Sequence, residues 1–321
     1  MIALTLEVTV SRKWAEVHGI CGFELKAAEG ESLPPFSAGS HIDVHLPGGL
    51  IRQYSLCNNP GESDRYHIAV LRDAEGRGGS KAIHDLVNEG DTINISAPKN
   101  HFPLAHEASN HLLVAGGIGI TPILCMAERL SASGDNFEMH YCARSRERMA
   151  FVQRIGSSDF GHSVKFHFDD GEPDQVFNIA RTLQQAATDT HLYVCGPRGF
   201  MDAVLSEARN QGWCEDRLHY EFFGGVVEQS VGDKTFKVKL ASSGLTVDVP
   251  PGCTIVRALA EKGVEILTSC EQGVCGTCLT RVLDGTPDHR DSYLTDEEKA
   301  GGDQFMPCCS RSKTSVLVLD L

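Results

Sequence analysis

The rhythm of hydrophobic and polar positions changes twice along the chain. Over residues 1–104, apolar and polar residues alternate in short runs. Examples are Ile42-Asp43-Val44-His45-Leu46, Tyr66-His67-Ile68-Ala69-Val70-Leu71 and Thr92-Ile93-Asn94-Ile95-Ser96, with Gly, Pro and Asn between them. A period of two broken by turn residues predicts an antiparallel β-barrel or sandwich, here interrupted by one helix over 80–87. Over residues 105–225, buried-type strands alternate with helices. Strands are predicted at 111–115, 137–142, 164–168, 191–195 and 218–223, and helices from about Pro122 and over 200–210. That alternation predicts a doubly wound parallel α/β sheet. Residues 226–234 are polar and unpatterned and read as a linker. Residues 235–321 open with two alternating strands, Phe236-Lys237-Val238-Lys239-Leu240 and Thr246-Val247-Asp248-Val249. A helix over 254–262, a cysteine-bearing loop and a last strand over 315–319 follow. Thr295 and Glu298 have the spacing of a capping box for one more short helix.

Length and composition narrow the class. A chain of 321 residues, 41% hydrophobic and 22% charged, suits two or three soluble globular domains. The longest mostly apolar stretch, residues 112–126, holds three glycines and a proline, so it reads as strand, turn and helix start and not as a membrane span. The first ten residues alternate like a strand, which predicts no targeting leader and a cytoplasmic location. A net charge of -14 argues against nucleic acid or an anionic membrane surface as partner.

Cysteine usage changes the picture most. Six of the 12 cysteines fall in the last 70 residues, which in a reducing compartment points to metal or redox chemistry. Cys270-x4-Cys275-x2-Cys278, followed about 30 positions later by Cys308 and Cys309, has the spacing of a plant-type [2Fe–2S] site. Gly273 and Gly276 would let the loop backbone approach the sulfurs closely. A structural zinc site is the rival reading. Zinc ribbons use two short pairs, and only one C-x2-C pair exists here. Spacing alone leaves Cys308 and Cys309 as alternatives for the fourth ligand.

Two glycine-rich turns add candidate anion sites. Ala115-Gly116-Gly117-Ile118-Gly119-Ile120-Thr121-Pro122 joins a buried strand to a helix, so glycines and a helix N-terminus would meet a pyrophosphate. Cys195-Gly196-Pro197 closes a later strand at its carboxyl edge, where open α/β sheets bind ligands. In the barrel, Arg52-Gln53-Tyr54-Ser55 ends a strand, and Gly76-Arg77-Gly78-Gly79-Ser80 precedes a helix. Together they are candidates for a flavin and its phosphate.

In this order, these motifs resemble the phthalate dioxygenase reductase family, to which the vanillate demethylase and carnitine monooxygenase reductase components are close relatives. The resemblance covers nearly the whole chain. It implies a six-stranded barrel binding FMN over 1–104, an α/β domain binding NADH over 105–225, a linker over 226–234 and a β-grasp ferredoxin domain over 235–321. It further implies that Arg52, Tyr54 and Ser55 contact the flavin and that Ala69, Val70 and Leu71 line its ring. Gly78, Gly79 and Ser80 would cradle its phosphate. Gly116, Gly117, Gly119 and Pro122, with Cys195, Gly196 and Pro197, would hold the dinucleotide, and Arg144 its adenosine side. Thr121, Cys195 and Phe223 would lie where flavin and nicotinamide meet. The ferredoxin pattern places the fourth ligand two residues before the serine, giving Cys270, Cys275, Cys278 and Cys308.

The implied activity is that of the reductase in a Rieske-type oxygenase system. Hydride passes from NADH to FMN, and single electrons pass through the cluster to the oxygenase. Two choices stay open: Phe222 or Phe223 against the flavin, and NADPH in place of NADH, since Arg144 and Arg146 could also meet a 2′-phosphate. The rivals are an FAD-dependent reductase without a protein acceptor and a non-enzymatic redox sensor. Residues 235–321 carry nine Lys or Arg against twelve Asp or Glu. Docking of the acceptor is therefore expected to be only modestly salt-sensitive, and a steep loss of acceptor reduction with added salt would contradict this.

Overall fold

The computed structural model describes residues 5–28, 31–47, 49–74, 78–223, 232–268, 271, 273–274 and 276–321. The chain divides into two compact units, residues 1–221 and 222–321. The first opens with β1 (Thr5–Val17), β2 (Ile20–Ala27), β3 (Ser40–His45), β4 (Ile51–Ser55), β5 (Tyr66–Leu71), α1 (Gly79–Leu86), β6 (Thr92–Ser96) and the two-residue β7 (Lys99–Asn100). The strands pair antiparallel in the order β4-β3-β6-β1-β2-β5, with β7 beside β3. The two ends of that path meet at a bridge between Leu56 and Ile68, reinforced by Cys57 N–H donating to the His67 carbonyl at 2.9 Å. The curl is therefore the expected six-strand barrel with one short extra strand. Alternation explains it: Val10, Phe23, Leu25, Ile42, Val44 and Ile68 all point to one core.

A parallel sheet follows: β8 (Asn110–Gly116), α2 (Ile120–Ser133), β9 (Asn136–Ala143), α3 (Val152–Gly156), β10 (Val164–Phe168), α4 (Ile179–Gln185), β11 (Thr190–Cys195), α5 (Arg198–Asn210) and β12 (Leu218–Glu221). Its order is β10-β9-β8-β11-β12. The direction of winding reverses between β8 and β11, and that switch point is where such sheets open a crevice. The strand expected to run to Phe223 stops at Glu221, because Glu221 is the last residue to find a partner, Cys195, on β11.

Barrel and sheet share a core. Cys57, Ala69 and Phe102 pack in one cluster with Ile120, Leu124 and Tyr193. A polar tie accompanies it. Phe151 is a non-glycine residue at φ 61°, and its N–H donates to a Glu16 carboxylate oxygen at 2.8 Å. The other Glu16 oxygen accepts from Trp14 Nε1 at 2.7 Å. Burial of the Phe151 ring and this charge-assisted bond offset the strain of a left-handed backbone.

The second unit contains β13 (Phe236–Leu240), β14 (Thr246–Val249), α6 (Ile255–Ala260), β15 (Thr280–Asp284), β16 (Pro287–Asp288), α7 (Asp296–Gly301), β17 (Gln304–Phe305), β18 (Arg311–Ser312) and β19 (Val316–Leu319). Its main sheet runs β14-β13-β19-β15-β17. An antiparallel hairpin, a helix and a returning strand laid parallel to β13 make the β-grasp arrangement. Thr295 and Glu298 form the expected capping box. Most of the proposed linker lies outside the described residues. Among the described residues, no helix is long and apolar enough to cross a membrane.

Candidate functional site

The barrel brings together the residues expected to cradle a phosphate. Arg52, on β4, packs against the start of α1, where a methyl group at Gly79 would lie 2.5 Å from Arg52 Nε. Gly78 sits at φ 85° and supplies no side chain to cap the helix, and no acid lies in its first turn. A guanidinium beside an uncapped helix N-terminus suits a phosphate. Ser80, expected in the cradle, is engaged by the preceding loop: Asp73 N–H donates to its hydroxyl at 3.1 Å. Gly76 and Arg77 lie outside the described residues. Tyr54 is half-buried on the same strand, and burial pushes its phenol up. Ala69 and Val70 are buried on β5, while Leu71 is exposed.

On the cradle geometry, Arg52→Ala is expected to weaken flavin retention roughly tenfold to a hundredfold, the loss of one charge-assisted contact. Titrating flavin back into stripped protein by fluorescence checks it. Unchanged affinity would remove Arg52 from the phosphate site.

The glycine turn stands at the switch point. Gly116 ends β8, Gly117 has φ 54°, and α2 begins at Ile120 with Pro122 in its first turn. A methyl group at Gly119 would lie 2.3 Å from the Cys195 carbonyl oxygen. Gly116 and Gly196 are less tight but still close: a methyl group at Gly196 would lie 3.0 Å from the Gly116 Cα. The turn after β8 and the turn after β11 thus come together because neither has a Cβ there. Pro197 opens α5 and is exposed. Thr121 is buried, its hydroxyl donating to the Ile118 carbonyl at 3.1 Å. Arg144 and Arg146 follow β9 and are exposed. The Asp169 N–H donates to the Ala143 carbonyl at 3.1 Å and the Asp170 N–H to the Arg144 carbonyl at 3.3 Å, so the backbone of two exposed acidic residues is tied to the backbone at Arg144.

The two halves of this unit meet chemically at a residue that sequence reasoning missed. Glu221, across the ladder from Cys195, accepts a hydrogen bond from the Ser55 hydroxyl at 3.3 Å. Its side chain is only 16% exposed, and burial pushes its carboxyl up to about 7 against the pull of Ser55. Burial and the nearby Glu221 push the Cys195 thiol well up, so it acts as a neutral group and not as a nucleophile. Nothing local marks Glu221, since its partner Ser55 is 166 residues away. Phe222 and Phe223 follow β12, and Phe223 is 39% exposed.

In the second unit Cys278, Cys308 and Cys309 are buried, and Cys270 and Cys275 lie outside the described residues. The Cys308 thiol is pushed far up, first by its hydrogen bond with Cys278, then by that with Cys309 and by burial. Thiols crowded in this way would release their protons to solvent readily only when a metal cation takes the protons' place on the sulfurs. Gly273 and Gly276 both have φ 73°. A methyl group at Gly273 would lie 2.4 Å from Cys309 Sγ, and one at Gly276 would lie 2.4 Å from the Tyr293 ring. The loop is therefore as tightly drawn as the spacing argument requires.

A barrel with a phosphate cradle, a doubly wound sheet with a glycine turn at its switch point, and a β-grasp unit with converging thiols define an iron–sulfur flavoprotein oxidoreductase. Comparison with known proteins agrees. Residues 238–313 match the family model of the 2Fe-2S iron-sulfur cluster binding domain. Residues 92–218 match that of the dimethylamine monooxygenase subunit DmmA-like N-terminal domain. The chain is 52% identical over 316 residues to vanillate O-demethylase oxidoreductase of Pseudomonas sp. (strain HR199 / DSM 7063), covering 98% of this chain and 100% of that protein. It is 40% identical over 317 residues to phthalate dioxygenase reductase of Burkholderia cepacia, covering 98% and 97% respectively. A solved structure of phthalate dioxygenase reductase, described as a modular structure for electron transfer from pyridine nucleotides to [2Fe–2S], matches with a TM-score of 0.81 at 40% identity, covering 99% of this chain and 98% of that one. The chain belongs to the phthalate dioxygenase reductase family.

Proposed function

We propose that this protein is the reductase component of a Rieske-type oxygenase system, taking hydride from NADH onto FMN and passing single electrons through a [2Fe–2S] cluster to the oxygenase. The carrying observation is the junction of Ser55, Cys195 and Glu221, where the flavin-cradle strand β4 meets the carboxyl edge of the nucleotide sheet. The flavin, when bound, reconciles a two-electron donor with a one-electron acceptor. The protein's own groups orient and exclude. Arg52, Gly78, Gly79 and Ser80 hold the phosphate end, Tyr54, Ser55 and residues 69–71 hold the ring, and Thr121, Cys195 and Phe223 border the nicotinamide. Gly116, Gly117, Gly119, Pro122, Gly196 and Pro197 hold the pyrophosphate, and Cys270, Cys275, Cys278 and Cys308 ligate the cluster. The carboxylates of Asp169 and Asp170, whose backbone is tied to the backbone at Arg144, repel a 2′-phosphate and favour NADH over NADPH.

The domains run 1–104, 105–225 and 235–321, with a linker over 226–234, and the protein works in the cytoplasm. Relatives named for vanillate and phthalate favour an aromatic carboxylic acid as the substrate of the oxygenase served.

The test is anaerobic purification with iron supplied, followed by assay of released flavin, labile sulfide and NADH-driven cytochrome c reduction. FMN, labile sulfide and rapid cytochrome c reduction are expected. Absence of labile sulfide would overturn the proposal, and release of FAD would favour the reductase without a protein acceptor. Coupled turnover of vanillate or phthalate with a purified oxygenase identifies the partner.

A further inference from the structure

Beside the Ser55–Glu221 contact lies His41, on β3, directly across the ladder from Ser55. It is 4% exposed. Its Nε2 is 3.2 Å from Gln53 Nε2, and the same amide nitrogen donates to Asp43 Oδ1 at 2.9 Å. Turning the amide over would set its oxygen against the Asp43 carboxylate, so the nitrogen is held where it is. An amide nitrogen only donates. His41 Nε2 must therefore accept, and the ring proton sits on Nδ1. That Nδ1 is buried and makes no hydrogen bond, and it faces Glu221 Oε1 at 3.9 Å. The far end is anchored by Lys99 Nζ, 2.7 Å from Asp43 Oδ2. The exposed His101 stacks on the His41 ring at 5.3 Å.

We propose that His41 is the positioning residue for Glu221: its Nδ1–H presents the positive end of a neutral dipole, 3.9 Å from Oε1, that orients the Glu221 carboxylate at the Ser55–Cys195 junction and favours its ionised form, with Gln53, Asp43 and Lys99 fixing the tautomer. The groups that face the pair are Ser55 and Cys195 on the Glu221 side, and Asp43, Lys99 and His101 on the His41 side. Burial and then His101 hold the imidazole down to about 4, with Asp43 opposing and Lys99 adding to the fall. His41 is therefore neutral while Glu221 titrates, and its Nδ1–H acts on the carboxylate as a neutral dipole at 3.9 Å and not as a cation. A positive dipole end facing the charged form lowers a carboxyl's midpoint, so removing that dipole raises it. The significance of the pair rests on the proposed meeting of flavin and nicotinamide at this junction.

The test reads the holoprotein without turnover. The infrared carbonyl band of protonated Glu221, assigned by its loss in Glu221→Gln, is titrated with pH. In His41→Leu its midpoint is expected to rise by about one unit, a tenfold gain in proton affinity. His41→Asn, whose side-chain amide can replace the Nδ1 donor, is expected to restore it. A midpoint unmoved in His41→Leu would overturn the proposal while leaving the proposed function intact. A second measurement decides the matter if His41→Leu does not fold. Nitrogen NMR of histidine-labelled native protein should show His41 as the Nδ1–H tautomer, and an Nε2–H tautomer would equally overturn it.

Discussion

Cys308→Ala is expected to leave NADH oxidation by ferricyanide intact while cytochrome c reduction falls by at least about a hundredfold. The proposed ligand set needs four thiolates, and Cys308 is buried with its thiol hydrogen-bonded to that of Cys278. Alanine would leave the proposed ligand set one thiolate short, and the cluster is expected to be lost. The flavin cradle and glycine turn belong to residues 1–221 and the thiols to residues 222–321. Hydride transfer to flavin, and single-electron transfer from there to a small acceptor such as ferricyanide, are thus expected to be untouched. Labile-sulfide assay and the visible spectrum report the loss directly.

Cys309→Ala is the companion that gives the experiment its resolution. Cys309 Sγ accompanies the loop glycine Gly273 and approaches the Met306 carbonyl at 3.6 Å. Its removal leaves a small void worth about 1 kcal/mol, with the cluster in place. If instead Cys309→Ala lost labile sulfide and Cys308→Ala kept it, the fourth ligand would be Cys309 and the assignment by ferredoxin pattern would be wrong.

The features legible in the sequence are those whose physics is local. The spacing of Cys270, Cys275 and Cys278, the glycine turn from Gly116 to Pro122, and the Thr295–Glu298 box each declare themselves within about ten residues, because a loop, a turn or a cap is made by neighbours. The alternation in β3, β5 and β6 was equally readable, since one buried face imposes a period of two. What escaped depends on tertiary contact. Glu221 reads as an ordinary acid after Tyr220 until β12 pairs with β11 and sets it against Ser55. His41 reads as one polar position in an alternating strand, and only its pairing with Ser55 and the Gln53–Asp43 contact give its ring a definite tautomer. Glu16 and Phe151 are 135 positions apart, and neither type of residue announces a joint between barrel and sheet. The strand that stops at Glu221, short of Phe223, shows the same limit: an apolar continuation extends a pattern, whereas a strand ends where its partner does.

Gly119→Ala is expected to be the most damaging single methyl group in the nucleotide turn. The added carbon would lie 2.3 Å from the Cys195 carbonyl oxygen and 2.6 Å from the Gly196 nitrogen. Both are backbone atoms of the turn after β11, so neither can swing aside as a side chain would. The turn after β8 must retreat from the switch point, costing about 1–3 kcal/mol of stability, and the KM for NADH is expected to rise at least about tenfold, since the helix N-terminus would move off the proposed anion. Two neighbouring substitutions separate this cause from generic sensitivity. Gly117→Ala meets no atom within 4 Å but imposes a side chain on φ 54°, a strain of about 1–2 kcal/mol. Gly199→Ala also meets nothing within 4 Å, and it lies in the first turn of α5 at an ordinary φ. It is expected to stabilise by about 0.5–1 kcal/mol through helix propensity. Thermal unfolding and NADH saturation kinetics should therefore rank the three as 119, 117, 199 in falling severity. Equal losses at 119 and 199 would mean that the close approach of the two turns is not what holds the dinucleotide.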